Sequence, residues 1–341
     1  MSKWFEKPVM RFLVILASMA VFGLSSALAQ APEDARDKNA ETAGQESEKP
    51  AAAAVERAMI STGLDSGSIA RNWPEAAVWL EPPEEDRVLA LFEPEASTPA
   101  KGALLVLANE GQSPASGLAR ALRQPMARDG WAVMTLGLEA PPYAIQQARR
   151  LQARAIPEEA ELPGSQAEET GNEPADESES VMIDVMDSVD VEELANQYRT
   201  RVQKSLAVAV SNLVDRGYGR IAVAGIGRAA GHVTRMAAAT GSGDVSALIW
   251  IAPEFDQGDS RALAEWLAGA GTLKVLELHS SRRPPESGGT GTRSPRQREA
   301  ALKRAEVAGY SRQPVAMSSQ PEPREAPALA NRISAWLEPD R

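Results

Sequence analysis

The sequence predicts an α/β fold, a mostly parallel sheet with helices on both faces, and three observations predict it. Apolar runs of strand length alternate with stretches of helical periodicity along most of the chain. Those runs are almost continuously apolar, as strands covered on both faces must be. The chain has no cysteine, so no disulfide supports it and burial alone must hold it.

The elements follow in order. Ala77 to Leu80 and Val88 to Glu93 flank the turn sequence EPPEED and predict a hairpin. Ala103 to Ala108 (ALLVLA) and Ala132 to Leu138 (AVMTLGL) predict buried strands. Between them Leu118, Leu122 and Met126 fall on one helix face, closed by Gly130. A long helix is expected from about Val191 to Asp215, with Leu194, Tyr198, Val202 and Leu206 on one side. Four more strands are expected at Ile221 to Gly225, Val245 to Ala252, Leu273 to His279 and Gln313 to Ser318, with helical stretches between them. Leu329, Ile333, Trp336 and Leu337 predict a closing amphipathic helix.

Outside this pattern the chain is polar or has the layout of a targeting segment. Lys3, Lys7 and Arg11 precede the apolar run from Phe12 to Leu24, and small residues end at Ala27-Leu28-Ala29. This layout predicts a secretory signal peptide over residues 1–29, cleaved after Ala29, and hence a periplasmic protein. The apolar run makes roughly 20 Å of helix against a hydrocarbon core of about 30 Å, so it reads as a signal rather than a span. No later segment is apolar for long enough to cross a membrane. Residues 30–58 have too little apolar content to offset the entropy of ordering and are expected to be a disordered linker. The domain is then expected over 59–341, with a disordered acidic insertion at 157–190.

The net charge of −11 is a local property. No Lys or Arg lies between Arg154 and Arg199, while Glu158 to Glu193 carries fourteen Asp and Glu, which leaves a slightly basic remainder. Without a dense basic stripe, nucleic acid is excluded as a partner. Within the acidic stretch, apolar residues from Val181 to Val191 could form a segment that docks to a partner. A zinc site is excluded as well: there are only two histidines, His232 and His279, no thiolate and no HExxH spacing. No cofactor is expected.

The chemistry of the chain turns on Gly225-Ile226-Gly227-Arg228-Ala229, which follows the strand Ile221 to Gly225 and precedes a helix through Met236. In α/β-hydrolases that strand, turn and helix form the nucleophile elbow, G-x-S-x-G, with small flanking residues. Here the flanks are small, and the nucleophile position is held by Gly227, which has no side chain to attack a carbonyl. The same residues fit the spacing G-x-G-x-x-A of a dinucleotide loop, but the acidic residue that should follow about 20 residues on is missing there. Glu110, in the loop after ALLVLA, would oppose an oxyanion if its carboxylate pointed at the hole, although a solvent-facing loop acid is the more common case. Ser113 in that loop and Ser280 are candidate displaced nucleophiles, with His279 or His232 as base and Asp256 as acid. His279 ends its strand at the sheet edge where α/β sites lie. In the hydrolase order a histidine should follow the last strand, and none follows QPVAMS. His232 reads as a packing histidine of the elbow helix.

The segments GALLVLANEGQSP, DGWAVMTLGLEAPP, RIAVAGIGRAAG, VSALIWIAPE and RISAWL resemble a proteobacterial family of exported α/β-hydrolase-like proteins defined as a domain of unknown function. The resemblance implies an α/β-hydrolase-like fold and export, and it brings no substrate. The expectation is an exported protein without a complete triad, binding an envelope protein or a small ligand. The alternative is an esterase-like serine hydrolase with a relocated nucleophile.

Overall fold

The computed structural model describes residues 63–154, 188–240, 243–271, 273–282 and 293–338. The expected signal peptide, the linker and most of the acidic insertion, with the segment 181–187, lie outside these residues. Among the described residues no helix is long and apolar enough to cross a membrane.

The chain forms an eight-stranded sheet. Its strands are β1 (Ala77–Leu80), β2 (Val88–Glu93), β3 (Gly102–Glu110), β4 (Trp131–Leu138), β5 (Ile221–Ile226), β6 (Val245–Ile251), β7 (Lys274–Ser280) and β8 (Tyr310–Val315). The spatial order is β1-β2-β4-β3-β5-β6-β7-β8. β1, β2 and β4 pair antiparallel, and every pairing from β4 through β8 is parallel. An antiparallel lead-in followed by a doubly wound parallel sheet is the α/β-hydrolase architecture, and it puts the C-terminal ends of β3, β5 and β6 side by side, where ligands of open α/β sheets bind.

The helices are α1 (Ser66–Asn72), α2 (Gly117–Arg128), α3 (Tyr143–Arg154), α4 (Ser188–Asp215), α5 (Ala229–Thr240), α6 (Gln257–Ala268), α7 (Pro295–Arg304) and α8 (Ala326–Leu337). Side-chain alternation along β3 divides the interior. Ala103, Leu105 and Leu107 join the core beneath α4, α5 and α6, whereas Leu104, Val106 and Ala108 join the core beneath α2 and α8. The expected face of α2, Leu118, Leu122 and Met126, is fully buried in the second of these cores.

Most elements lie within a few residues of their expected positions. The exception is the last strand, expected at Gln313 to Ser318 and found at Tyr310–Val315. β8 is an edge strand, half-buried over most of its length, so its first residues can be polar and Pro314 can sit in it without breaking a second ladder. An apolar-run criterion therefore shifts the strand toward Val315 and Met317. α4 begins at Ser188, three residues earlier than expected and inside the expected acidic insertion.

β7 carries a charge through the core. Glu277 is 0% exposed. It accepts from Arg298 Nε at 3.1 Å and Nη2 at 2.5 Å, and from the Tyr310 hydroxyl at 2.7 Å. Burial, and then the Glu277 carboxylate, push the Tyr310 hydroxyl pKa well up, so it stays a donor. This bidentate pair fastens α7 to the sheet.

Candidate functional site

The turn between β5 and α5 has elbow geometry. Gly227 sits at φ +59°, its N–H donates to Ile251 O at 2.9 Å and its carbonyl accepts from Glu254 N at 3.0 Å. The flanking position is small for a visible reason: a Cβ on Gly225 would lie 2.7 Å from Ala230 N and from Val233 Cγ2.

Asn109, at the end of β3, reaches across to this turn. Its Oδ1 accepts from Arg228 N at 3.0 Å and from Glu110 N at 2.9 Å. A Cβ built on Gly227 would meet Asn109 Oδ1 at 2.6 Å, Cγ at 2.7 Å and Nδ2 at 2.8 Å. The Asn109 carboxamide therefore fills the volume that a side chain at position 227 would need. In α/β-hydrolases the oxyanion is held by the N–H after the nucleophile and by an N–H from the loop after the third strand. Here the N–H after Gly227 and that of Glu110 point at one amide oxygen already in place. The other loop donors are also engaged, Gly111 N with Leu138 O at 2.8 Å and Gln112 N with Asn109 O at 3.0 Å. In the turn after β5, the Gly227 and Arg228 N–H groups that a dinucleotide loop would offer to phosphate are engaged by Ile251 O and Asn109 Oδ1.

Around the turn lies a charge network. Arg149 of α3 donates from Nη1 to both Glu110 oxygens, at 2.9 and 3.0 Å, and its Nη2 lies 3.0 Å from Asp256. Arg228 Nη1 donates to Asp256 Oδ1 at 2.7 Å, and its Nε lies 3.6 Å from Glu254 and 3.8 Å from Glu110. Burial would lower the Arg149 pKa, but Glu110 and Asp256 outweigh it, so the guanidinium is held charged. Glu110, for which a solvent-facing loop acid is the commoner expectation, is largely buried and tied to α3.

Over this network, between α3, α4, α5 and α6, is a cavity of about 460 Å³. Ile145 and Ala148 of α3 and Val191 and Ala195 of α4 supply apolar walls. His232 lines it, 8% exposed and edge-on to the Tyr198 ring with centroids 5.5 Å apart. Burial first, then the positive fields of Arg235 and Arg149, press its pKa down to about 4, so it is neutral near pH 7. Tyr198 donates its hydroxyl to Glu139 O at 2.7 Å, fixing its ring against the imidazole. Arg235 pairs with Asp259 and lies 4.7 Å above the Trp266 ring.

The sequence candidates are dispersed. Asp256 joins the network as the N-cap of α6, paired with Arg149 and Arg228 and not with His279. His279 is buried between strands, with Nε2 3.4 Å from Arg312 Nη1 and Nδ1 without a hydrogen-bond partner among the described residues. Burial lowers its pKa. Ser280 follows it on β7, so the two side chains leave opposite faces of the sheet. The Ser280 hydroxyl donates to Met317 O and accepts from Arg282 N at 3.2 Å. Ser113 stands in a turn whose carbonyl accepts from Ser116 Oγ at 2.9 Å. Among the described residues no hydrogen bond joins Ser113 or Ser280 to either imidazole. No group of three or more His, Cys, Asp or Glu among the described residues could hold a metal ion. Sequence reasoning missed Asn109 as a site residue, along with Arg149, Arg199, Arg228 and Arg235. Only Arg228, next to Gly227, carried a positional signal.

Three solved structures are similar to this chain over about three quarters of its length. Est1E from Butyrivibrio proteoclasticus is 8% identical, with a TM-score of 0.47 over 77% of this chain and 97% of that one. Dienelactone hydrolase from Anabaena variabilis is 15% identical, with a TM-score of 0.43 over 76% and 94%. A soluble variant of monoglyceride lipase from Saccharomyces cerevisiae is 11% identical, with a TM-score of 0.42 over 76% and 96%. No curated protein matches the chain in sequence. One family model does match, over residues 12–339, nearly the whole chain, and this protein therefore belongs to the family described as "Protein of unknown function (DUF3530)".

Proposed function

We propose that this chain is a non-catalytic binding protein on an α/β-hydrolase scaffold, exported to the cell envelope, using the cavity at the strand ends for a ligand rather than for acyl transfer. The observation that carries the reading is Asn109. Its amide oxygen takes the two N–H groups that would stabilise an oxyanion, and its carboxamide takes the space of a nucleophile. Acyl transfer at this turn lacks its attacking atom, and its stabilising donors are already engaged. Two further features support the reading. No histidine follows β8, and neither relocated serine is hydrogen-bonded to an imidazole. The layout of residues 1–29 supports export.

One intact-mass measurement tests both parts. The full chain is expressed in a Gram-negative host, recovered, and treated with a fluorophosphonate that labels activated serines. The expected mass is that of a chain beginning at Gln30, unchanged by the probe. A stoichiometric phosphonate adduct would overturn the non-catalytic reading, and retention of residues 1–29 would overturn export by a cleaved signal.

A further inference from the structure

The cavity has charge polarity along its length. On and just before α5, Arg228, His232 and Arg235 follow one another at helical spacing and all line the cavity, so about 10 Å of helix separates the first guanidinium from the last. On α6 the same direction runs from Asp256 at the N-cap to Asp259. The two ends are unequal in charge.

At the Arg228 end, Glu110, Glu254 and Asp256 face the guanidinium groups of Arg149 and Arg228, an excess of one negative charge. Glu110 is largely buried and doubly held by Arg149. Glu254 and Asp256 are the accessible acids, with side chains 43% and 40% exposed. The Arg235 end holds two arginines, Arg199 and Arg235, against Asp259, with Glu192 of α4 a further acid of the cavity wall. Arg199 of α4 and Arg235 both act on one carboxylate, Asp259, and only Arg235 pairs with it. Arg199 binds its own helix, Nε to Ala195 O at 3.0 Å and Nη2 to Asn196 Oδ1 at 2.5 Å, and makes no salt bridge to a described carboxylate. Arg235 Nε is buried with no hydrogen-bond partner among the described residues.

A cavity with two accessible acids at one end, the arginines Arg199 and Arg235 at the other and apolar walls along α3 and α4 is matched by a ligand carrying both charges. Its volume of about 460 Å³ lies within the range of about 300–1,000 Å³ usual for small-molecule sites. We propose that this cavity binds a small zwitterion of the free amino acid or dipeptide class, its carboxylate on Arg199 and Arg235 and its ammonium on Glu254 and Asp256. This assignment rests on the non-catalytic reading of the same site.

Calorimetric titration of the protein with Ala-Ala tests it, beside N-acetyl-Ala-Ala, which keeps only the carboxylate, and Ala-Ala amide, which keeps only the ammonium. Ala-Ala is expected to bind, with each capped form weaker by about tenfold or more, since each loses a charge-assisted contact. Arg199→Gln should weaken Ala-Ala by a similar factor while leaving the amide form unaffected. Arg199→Lys should recover part of the loss. Arg199 bonds only within its own helix, so thermal midpoints should match the wild type and separate binding loss from misfolding. Equal binding of capped and uncapped forms, or no heat from any of the three at millimolar concentration, overturns the proposal. A null titration without a phosphonate adduct removes only the ligand class; a phosphonate adduct removes the underlying reading.

Discussion

Replacing Gly227 with serine is expected to destabilise the protein by about 2–5 kcal/mol, and most of the steric part of that loss should vanish when Asn109 is replaced by glycine in the same chain. Two costs add in the single variant. A side chain at φ +59° costs about 1–2 kcal/mol, because Cβ crowds the following carbonyl in the left-handed region. The same Cβ would stand 2.6–2.8 Å from three atoms of the Asn109 carboxamide, which must leave, and two N–H groups then lose an acceptor worth about 0.5–1.5 kcal/mol each. Asn109→Gly alone forfeits the hydrogen bonds and adds about 0.5–1 kcal/mol of glycine backbone entropy in β3, a cost the double variant shares and the cycle cancels. The four proteins form a cycle whose coupling energy, read from urea midpoints, should be about 1–2 kcal/mol in the direction that makes the double variant better than the sum. Strict additivity would mean that positions 109 and 227 do not compete for one space.

The second large effect lies away from the cavity. Arg298→Met should cost about 3–5 kcal/mol, because it leaves the Glu277 carboxylate, 0% exposed, with the Tyr310 hydroxyl as its only remaining side-chain donor. Replacing both partners, Glu277→Leu with Arg298→Met, removes the orphaned charge and should recover most of the loss. Denaturant unfolding of the three proteins reads this directly. A single variant as stable as the wild type would show that Glu277 reaches solvent or another donor in the folded protein.

The parallel sheet was legible because β3 through β7 are buried on both faces and must be written in apolar residues such as ALLVLA and ALIWIA. β8 was misplaced by three residues because an edge strand is under no such constraint, and YSRQPV carries only one fully buried side chain. The elbow was legible for a different reason: a left-handed turn packed against Ala230 and Val233 leaves little choice but glycine and alanine at Gly225 and Ala229. What fills the space above Gly227 was not legible. Asn109 and Gly227 are 118 residues apart, and only the pairing of β3 with β5 brings them together. Arg149, Arg199 and Arg235 lie on three helices whose spacing signals an exposed face as readily as a cavity wall. Their convergence depends on how α3 and α4 pack over α5 and α6. His279 and Ser113, which strand ends and loops made attractive, do not line the cavity: His279 lies beside Arg312 of the edge strand β8, and Ser113 is held in a turn after β3.

A crystal structure of the ligand-free protein tests the central claim most directly, through the density between the Arg228 and Glu110 N–H groups. The Asn109 carboxamide is expected there, its oxygen within hydrogen-bonding distance of both nitrogens, at 3.0 and 2.9 Å. An Asn109 side chain turned away, with a water or an anion bridging the two N–H groups, would contradict it.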